Sequence, residues 1–354
     1  MSRADRVAER LAERELDLLL ITDLVNLRYV TGFTGSNGMA VVGRDVRRFV
    51  TDFRYVEQAA QQVRDFDREQ GPQDFVTALG DGWPDGELRV GFEDQHVSVR
   101  SHGRLREVIP DRVELVPAGG IVEDLRAVKE PGEIERIAAA AELADEVYGL
   151  LREQRLAGRT EREVAFALET EMRRRGAEPS FPSIVASGPR GALPHAVPTG
   201  EAIAPGTLVT LDIGARLDGY CSDCTRTWAT GDLADDLVQA YELVARAQAA
   251  ALAAVRPGPE GREVDAVARD IIEAAGHGEH FGHGLGHGVG LEVHEGPRLA
   301  RTAETRLVAG NVVTVEPGVY LPGRGGVRIE DLVVVTGDGH RVVSGTTKEL
   351  LTVG

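Results

Sequence analysis

The sequence predicts an α+β protein in two parts, a small α/β domain over residues 1–120 and a larger α+β domain over 121–354. Three observations predict it. The length of 354 residues exceeds the size at which a single core usually stops growing. Strand-like and helix-like segments alternate up to about residue 117. Beyond that point, long helical patterns alternate with strands that fall in hairpin-like pairs, and the pattern occurs twice, which hints at internal pseudo-duplication.

In chain order, residues 2 to 16 form a first helix, capped by Ser2 and striped by Val7, Leu11 and Leu16. LDLLLIT, ending at Thr22, is a buried strand. NLRYVTGFTGSNG is read as a turn-rich segment because Gly32, Gly35 and Gly38 punctuate it. GMAVVG and RRFVTD are strands, Tyr55 to Val63 is helical, Gly80 to Gly86 lies in a polar loop, and RVGFED is another strand. The join falls near Pro117–Gly120. LRAVKEPGEIERIAAAAELADEVY then begins one long helix with Pro131 in its first turn, where a missing N–H costs little. Thr160 and Glu163 have the form of a capping box opening a helix that ends before Gly176. Further helices run from about Asp235 to Val255 and from Glu263 to Ala275. Between and after them LVTLDIG, YCSDCTRTWA, NVVTVEP and VRIEDLVVVT are strands.

Composition excludes some classes of function. The formal charge is −17, from 57 acidic against 40 basic residues, which argues against a nucleic-acid backbone or an anionic membrane as main partner. The longest early apolar run, Leu18 to Ile21, is too short for a signal sequence or a membrane span, so a soluble cytoplasmic protein is expected. The cysteines, Cys221 and Cys224, do not form a disulfide framework and suit a reducing compartment. Three apart on an extended strand, they point to opposite faces and do not converge on one ion. GFTGSNG lacks the spacing of a nucleotide fingerprint, and no Gly-x-Ser-x-Gly elbow supports serine hydrolysis.

The chemistry is concentrated in acids and imidazoles. HGLGHGVGLEVHE, residues 283 to 295, places His287 and His294 among glycines that cannot sustain a regular helix. Alone, it is equally a His-rich tract that picks up metal incidentally, since His277, His280 and His283 lie just upstream. Asp212 ends LVTLD and Asp223 lies in the returning strand, with Asp218-Gly219 as the tight turn. That register sets Gly214 opposite Asp223 and puts Asp212 on the same face, so the two carboxylates are diagonal neighbours. Two close carboxylates repel unless a cation sits between them. Glu316 and Glu330 add carboxylates inside strongly apolar strands, where an unpaired acid is costly. Four such acids with one imidazole suit two divalent ions of the Mn²⁺, Co²⁺ or Zn²⁺ type.

These residues resemble a known family. LDIG at 211–214, SDCTRT at 222–227, GHGVGLEVHE at 286–295, EPGVY at 316–320 and VRIED at 327–331 are similar to the pita-bread metallopeptidases of the Xaa-Pro class, aminopeptidase P and prolidase. PHAVPTG at 194–200 resembles that family's segment carrying a further active-site histidine. YVTGFTGSNG with TDFRY resembles its creatinase-type N-terminal domain, which contributes to the substrate cleft and to oligomer contacts.

The resemblance implies two divalent ions per subunit, Mn²⁺ first, held by Asp212, Asp223, His287, Glu316 and Glu330. Asp223 and Glu330 bridge, Asp212 holds one ion, and His287 with Glu316 holds the other. A bridging water is then the nucleophile and Glu316 exchanges its proton. His294 and His195 are expected to donate to the scissile carbonyl and oxyanion and to shape the proline pocket. Arg328, also counted with the catalytic groups, and Tyr320, counted with the substrate-binding ones, match accessory positions. Retention of all five ligands argues against the metal-free creatinase-like enzymes and against a silent binding scaffold of the same fold. Methionine aminopeptidase ranks low because of the N-terminal domain. The expected activity is removal of the residue before proline from peptides, with a prolidase restricted to Xaa-Pro dipeptides as the alternative. The latter needs a cation for the substrate carboxylate, for which Arg47, Arg48 and Arg54 are candidates, solvated strand-end arginines being the other reading. A homodimer is expected from the family alone.

Overall fold

The computed structural model describes residues 1–353 and divides into two compact units, Met1–Arg126 and Ala127–Gly354. In the first unit the order is α1 (Arg3–Glu13), β1 (Leu18–Ile21), α2 (Leu24–Thr31), β2 (Gly38–Gly43), β3 (Arg47–Thr51), α3 (Val56–Gln62), β4 (Asp67–Gln70), β5 (Leu88–Phe92), α4 (Val99–Val108), β6 (Val113–Pro117) and α5 (Ile121–Ala127). The strands form one mixed sheet in the order β4-β3-β2-β1-β5-β6. Ser2 and Asp5 make a reciprocal capping box at α1, and Val7 and Leu11 are buried beneath it.

Two readings of this region are corrected. The segment taken as turn-rich holds α2: Asp23 caps it by accepting from Val25 N at 3.0 Å, and Gly32, at φ 82°, ends it in the left-handed region. Its glycines mark the exit from a helix. The long helix expected with Pro131 in its first turn is α6 (Pro131–Arg152), and the chain between Gly120 and it, not foreseen as helical on its own, forms the short α5. A residue preceding proline is pushed out of the α region, so Pro131 starts a new helix at its own first turn. Arg126 Nη1, at the end of the first unit, donates to Asn26 Oδ1 at 2.8 Å, so the division falls six residues beyond the expected join at 120.

The second unit continues with α7 (Glu161–Arg174), β7 (Glu178–Pro179), β8 (Ile184–Ser187), β9 (Leu208–Ile213), β10 (Ala215–Leu217), β11 (Tyr220–Cys221), β12 (Cys224–Ala229), α8 (Asp235–Ala254) and α9 (Gly261–Ala274). Then come β13 (Gly286–Gly288), β14 (Glu295–Leu299), β15 (Val312–Val315), β16 (Gly318–Leu321), β17 (Gly325–Arg328), β18 (Asp331–Val335) and β19 (His340–Val342). Two helix-on-sheet layers repeat the same plan. α6 and α7 share a core with β8-β9-β12, through Val147, Leu168, Val209 and Leu211. α8 and α9 share another with β14-β13-β15-β18-β19, through Val244, Ile272, Val313 and Val333. Even the caps correspond, since Thr160 bridges Ala202 before α7 and Glu260 bridges Arg306 before α9.

The turn at Asp218 and Gly219 has both residues at positive φ, 48° and 83°, as a two-residue hairpin requires. Leu217 faces Tyr220 and Ile213 faces Cys224, so the register passes unbroken through Gly214 and Asp223. YCSDCTRTWA is nevertheless two strands, β11 and β12, and VRIEDLVVVT is also two, β17 and β18. Asp223 and Glu330 lie in the two gaps.

Candidate metal centre

Five segments of the second unit converge on one buried group of acids. Asp212 sits in β9, Asp223 between β11 and β12, Glu316 between β15 and β16, Glu330 between β17 and β18, and His287 at the centre of β13. Oxygens of Asp212, Asp223 and Glu330 lie within 4.8 Å of one another. His287 Nε2 is 3.2 Å from Glu316 Oε1 and 3.6 Å from Asp223 Oδ2. The structure therefore brings the five expected ligand positions together.

His287 can enter this group because its neighbours are glycines. A Cβ on Gly286 would stand 2.0 Å from Thr314 O, and one on Gly288 2.0 Å from Gly296 O, so no other residue allows β13 this close to β14 and β15. The ring is oriented as well: its Nδ1 faces Gly288 O at 3.1 Å and donates to it, which leaves Nε2 as the nitrogen directed at the carboxylates and the one that, once deprotonated, would meet a cation.

The electrostatics describe a site built for cations. Burial pushes Asp223 well above the usual carboxylate range, and the charges of Glu330, Asp212 and Glu316 push it further. Glu330 is raised in the same way by burial and by Glu316 and Asp212. Burial also raises Asp212, against the Arg328 guanidinium that lowers it. For Glu316 burial is outweighed by the hydrogen bond and charge of His287, and its pKa is lowered to about 2. Asp212 Oδ1 and Glu330 Oε1 are buried with no hydrogen-bond partner. Acidic oxygens rarely occupy such positions unless something positive meets them, so the donor set fits divalent cations.

Around the acids runs a polar network that the sequence reading glimpsed only at Arg328 and Tyr320. Arg328 is buried and gives Nη2 to Asp212 Oδ2 at 2.7 Å, Nε to Thr225 Oγ1 at 2.9 Å and Nη1 to the Tyr320 hydroxyl at 3.0 Å. Thr225 Oγ1 in turn donates to Glu330 Oε2 at 2.8 Å, and Thr314 Oγ1 donates to Glu316 Oε1 at 3.1 Å. His283 Nδ1 faces Gly284 O at 2.7 Å and carries the proton, so Nε2 accepts from the Tyr320 hydroxyl at 2.8 Å. His283 thus belongs to the site, whereas the sequence reading placed it in an incidental tract. The glycine that separates it from Leu285 was the available signal. Thr225 and Thr314 carried one too, since each lies two residues along its chain from a ligand, Asp223 and Glu316 respectively.

His294 packs against His287 with ring centroids 4.3 Å apart. His195 is exposed on its loop, but the preceding Pro194 O accepts from Arg328 Nη1 at 3.2 Å, which ties that loop to the site. The sulfurs of Cys221 and Cys224 are buried, free and directed at different carbonyls, those of Leu291 and Glu330. The three candidate arginines of the first unit each hold a carboxylate within that unit. Arg47 pairs with Asp5, Arg48 spans both oxygens of Glu69 at 2.8 Å each, and Arg54 spans Asp52 at 2.9 and 2.7 Å. Arg48 is only 10% exposed and is not a solvated strand end.

Two family models match this chain. Metallopeptidase family M24 matches residues 135–337, and the creatinase/prolidase N-terminal domain matches residues 3–128. The chain belongs to metallopeptidase family M24. This M24 chain is 46% identical over 338 residues to the uncharacterized peptidase YqhT of Bacillus subtilis, covering 95% of this chain and 96% of that one. Its fold superposes on the Xaa-Pro dipeptidase from Bacillus anthracis with a TM-score of 0.93 at 40% identity, over 99% of both chains. It superposes on the X-Pro aminopeptidase from Thermotoga maritima with a TM-score of 0.90 at 34% identity, over 99% of this chain and 100% of that one. The pita-bread architecture and the metallopeptidase class expected from the sequence are thereby established, and the silent scaffold has no support.

Proposed function

We propose that this M24 enzyme hydrolyses the bond between an N-terminal residue and proline, acting on Xaa-Pro dipeptides in the cytoplasm. The observation that carries the reading is the convergence of Asp212, Asp223 and Glu330 beside His287 and Glu316, with two buried carboxylate oxygens unpartnered. Asp223 and Glu330 would hold both of two divalent cations, Asp212 one, and His287 with Glu316 the other. Bound there, such ions, manganese in this reading with cobalt or zinc as alternatives, supply Lewis acidity and lower the pKa of water.

The chain's own groups do the rest. Glu316, whose carboxyl is raised by burial but held low by His287, is the carboxylate placed to take the proton of the attacking water. His294 is exposed on its turn and its pKa is lowered, by partial desolvation first and then by His287, so it meets the substrate carbonyl as a neutral N–H donor. His195 would donate to the substrate from its own exposed loop, which Pro194 O ties to Arg328. Arg328 and Tyr320 fix Asp212 and each other, and His283 fixes the Tyr320 hydroxyl.

Removal of a residue from longer peptides, the first expectation from sequence, has the Thermotoga maritima X-Pro aminopeptidase in its favour. The dipeptide reading has the more similar Bacillus anthracis enzyme. The deciding experiment strips the metal and restores Mn²⁺, Co²⁺ or Zn²⁺. It then compares an Xaa-Pro dipeptide with the same sequence extended by several residues. Preference for the dipeptide is expected. Preference for the longer peptide gives the aminopeptidase, and no cleavage of either with any metal removes the Xaa-Pro reading.

A further inference from the structure

Lys129 and Glu295 form an ion pair that the metal centre does not use, with Nζ and Oε1 2.8 Å apart and side chains 1% and 6% exposed. Burying such a pair is expensive, and well-packed apolar side chains of similar volume often serve stability as well or better. Its position suggests another use. Glu295 directly follows His294, opens β14, and faces Gly288 across the ladder, one residue beyond His287. Its carboxylate lies against the turn that carries His294, for a Cβ on Gly290 would be 2.1 Å from Glu295 Oε1. That turn has backbone bonds at its near end, Val289 N to Val312 O at 3.0 Å, Gly290 N to Glu292 O at 2.9 Å and Cys221 N to Gly290 O at 2.8 Å. At the far end the Glu295 side chain is the brace.

Lys129 is itself fixed. Its N–H donates to Gly310 O at 2.9 Å, and Ala127 O accepts from Asn311 Nδ2 at 2.8 Å. Gly310 and Asn311 lead directly into β15 and from there to Glu316. The lysine therefore shares its anchor with the strand that delivers a metal-ligand acid, and reaches through the interior to the residue after His294.

We infer that Lys129 is a positioning residue for hydrolysis: its ammonium holds the Glu295 carboxylate against the 289–294 turn and so fixes the His294 imidazole toward the substrate. The inference rests on the donor role of His294 proposed above. Steady-state kinetics of the metal-loaded enzyme test it in four forms: wild type, Lys129→Met, His294→Ala and the double variant, with bound ions counted in each. Lys129→Met is expected to lower kcat/KM about 10- to 100-fold, as loss of groups that orient active-site residues does, with two ions retained. In the His294→Ala background the same change is expected to cost almost nothing further. Glu295→Gln, which keeps the shape and removes the charge, is expected to reproduce the loss and serves if Lys129→Met does not fold. Equal losses in both backgrounds, or a folded Lys129→Met or Glu295→Gln with unchanged kcat/KM, overturn the inference. A fully active His294→Ala would instead remove the donor role, and this inference with it.

Discussion

Asp212 Oδ1 and Glu330 Oε1 each leave a buried lone pair unmet, a state that costs about 1–3 kcal/mol per group. A cation between them turns that cost into a binding site. Asp223→Asn and His287→Ala are therefore expected to lose metal and at least about 100-fold in kcat while the chain stays folded, checked by metal analysis beside circular dichroism. Full activity in either variant would remove the metal-centre reading. His283→Ala should lower kcat about tenfold by releasing the Tyr320 hydroxyl, and His283→Gln, which keeps an acceptor, should recover part of it. The acids were legible in the sequence because isolated carboxylates in apolar strands need a reason. His283, Thr225 and Thr314 were passed over: spacing marks them only as chain neighbours of the site, and their role is an orientation toward another side chain that the fold supplies.

Protonation gives a second prediction at this scale. Asp223 and Glu330 are raised from 3.8 and 4.5, chiefly by burial, so the metal-free fold binds protons that the unfolded chain has released. Their contribution to stability is present below the unfolded values and is lost as pH rises through the folded ones. Glu316 runs the other way, contributing above 4.5 and losing that contribution as pH falls toward about 2. Cation capture needs Asp223, Glu330 and His287 deprotonated, so it releases protons and strengthens with pH. The metal-free melting temperature should fall as pH is raised from about 5 to 8, and saturating Mn²⁺ should reverse the fall. A metal-free melting temperature that rises steadily over that range would refute this ordering of the carboxylates.

At the scale of elements, the chemistry sits where strands break. Asp223, Glu316 and Glu330 all lie between strands that the sequence runs together or nearly so, and a break frees the backbone to aim a side chain that alternation would bury elsewhere. Strongly apolar strands such as β1, β2, β9, β15 and β18 and the β9–β12 register were legible because apolar runs and the Asp218-Gly219 turn specify them, whereas polar or short strands such as β4 and β7 were not. The breaks were not, because they are imposed by contacts distant in sequence, such as Glu330 N to Thr225 O at 3.2 Å. One such contact is testable. A Cβ on Gly326 would stand 1.9 Å from Gly191 O, so Gly326→Ala must push β17, and Arg328 with it, away from the 188–192 turn. We expect a loss of about 1–3 kcal/mol in urea unfolding together with a drop in kcat. Gly337→Ala, with nothing within 4 Å, is the control expected to change neither.

Across the whole molecule, the two units differ in what holds them. The first closes on its own sheet and on a buried polar knot. There Glu93 accepts from Thr22 N at 2.6 Å, Asp23 N at 2.7 Å and Asn26 Nδ2 at 2.8 Å. Its acids have donors already. The second closes two helix-on-sheet layers around acids of which two buried oxygens, Asp212 Oδ1 and Glu330 Oε1, have none, so part of its stability is borrowed from whatever cation binds. Occupancy at 100 times the dissociation constant adds about 2.7 kcal/mol per site to the form that binds. Chelation should therefore act unevenly along the chain. In amide hydrogen exchange, stripping the metal is expected to lower protection in β9, β12, β13, β15 and β18. Protection in β1, β2, β3 and β5 should stay as it was, and adding Mn²⁺ should restore the difference. Uniform loss across both units would mean that the first unit depends on the metal too, and no loss anywhere would mean that the acids are satisfied without one.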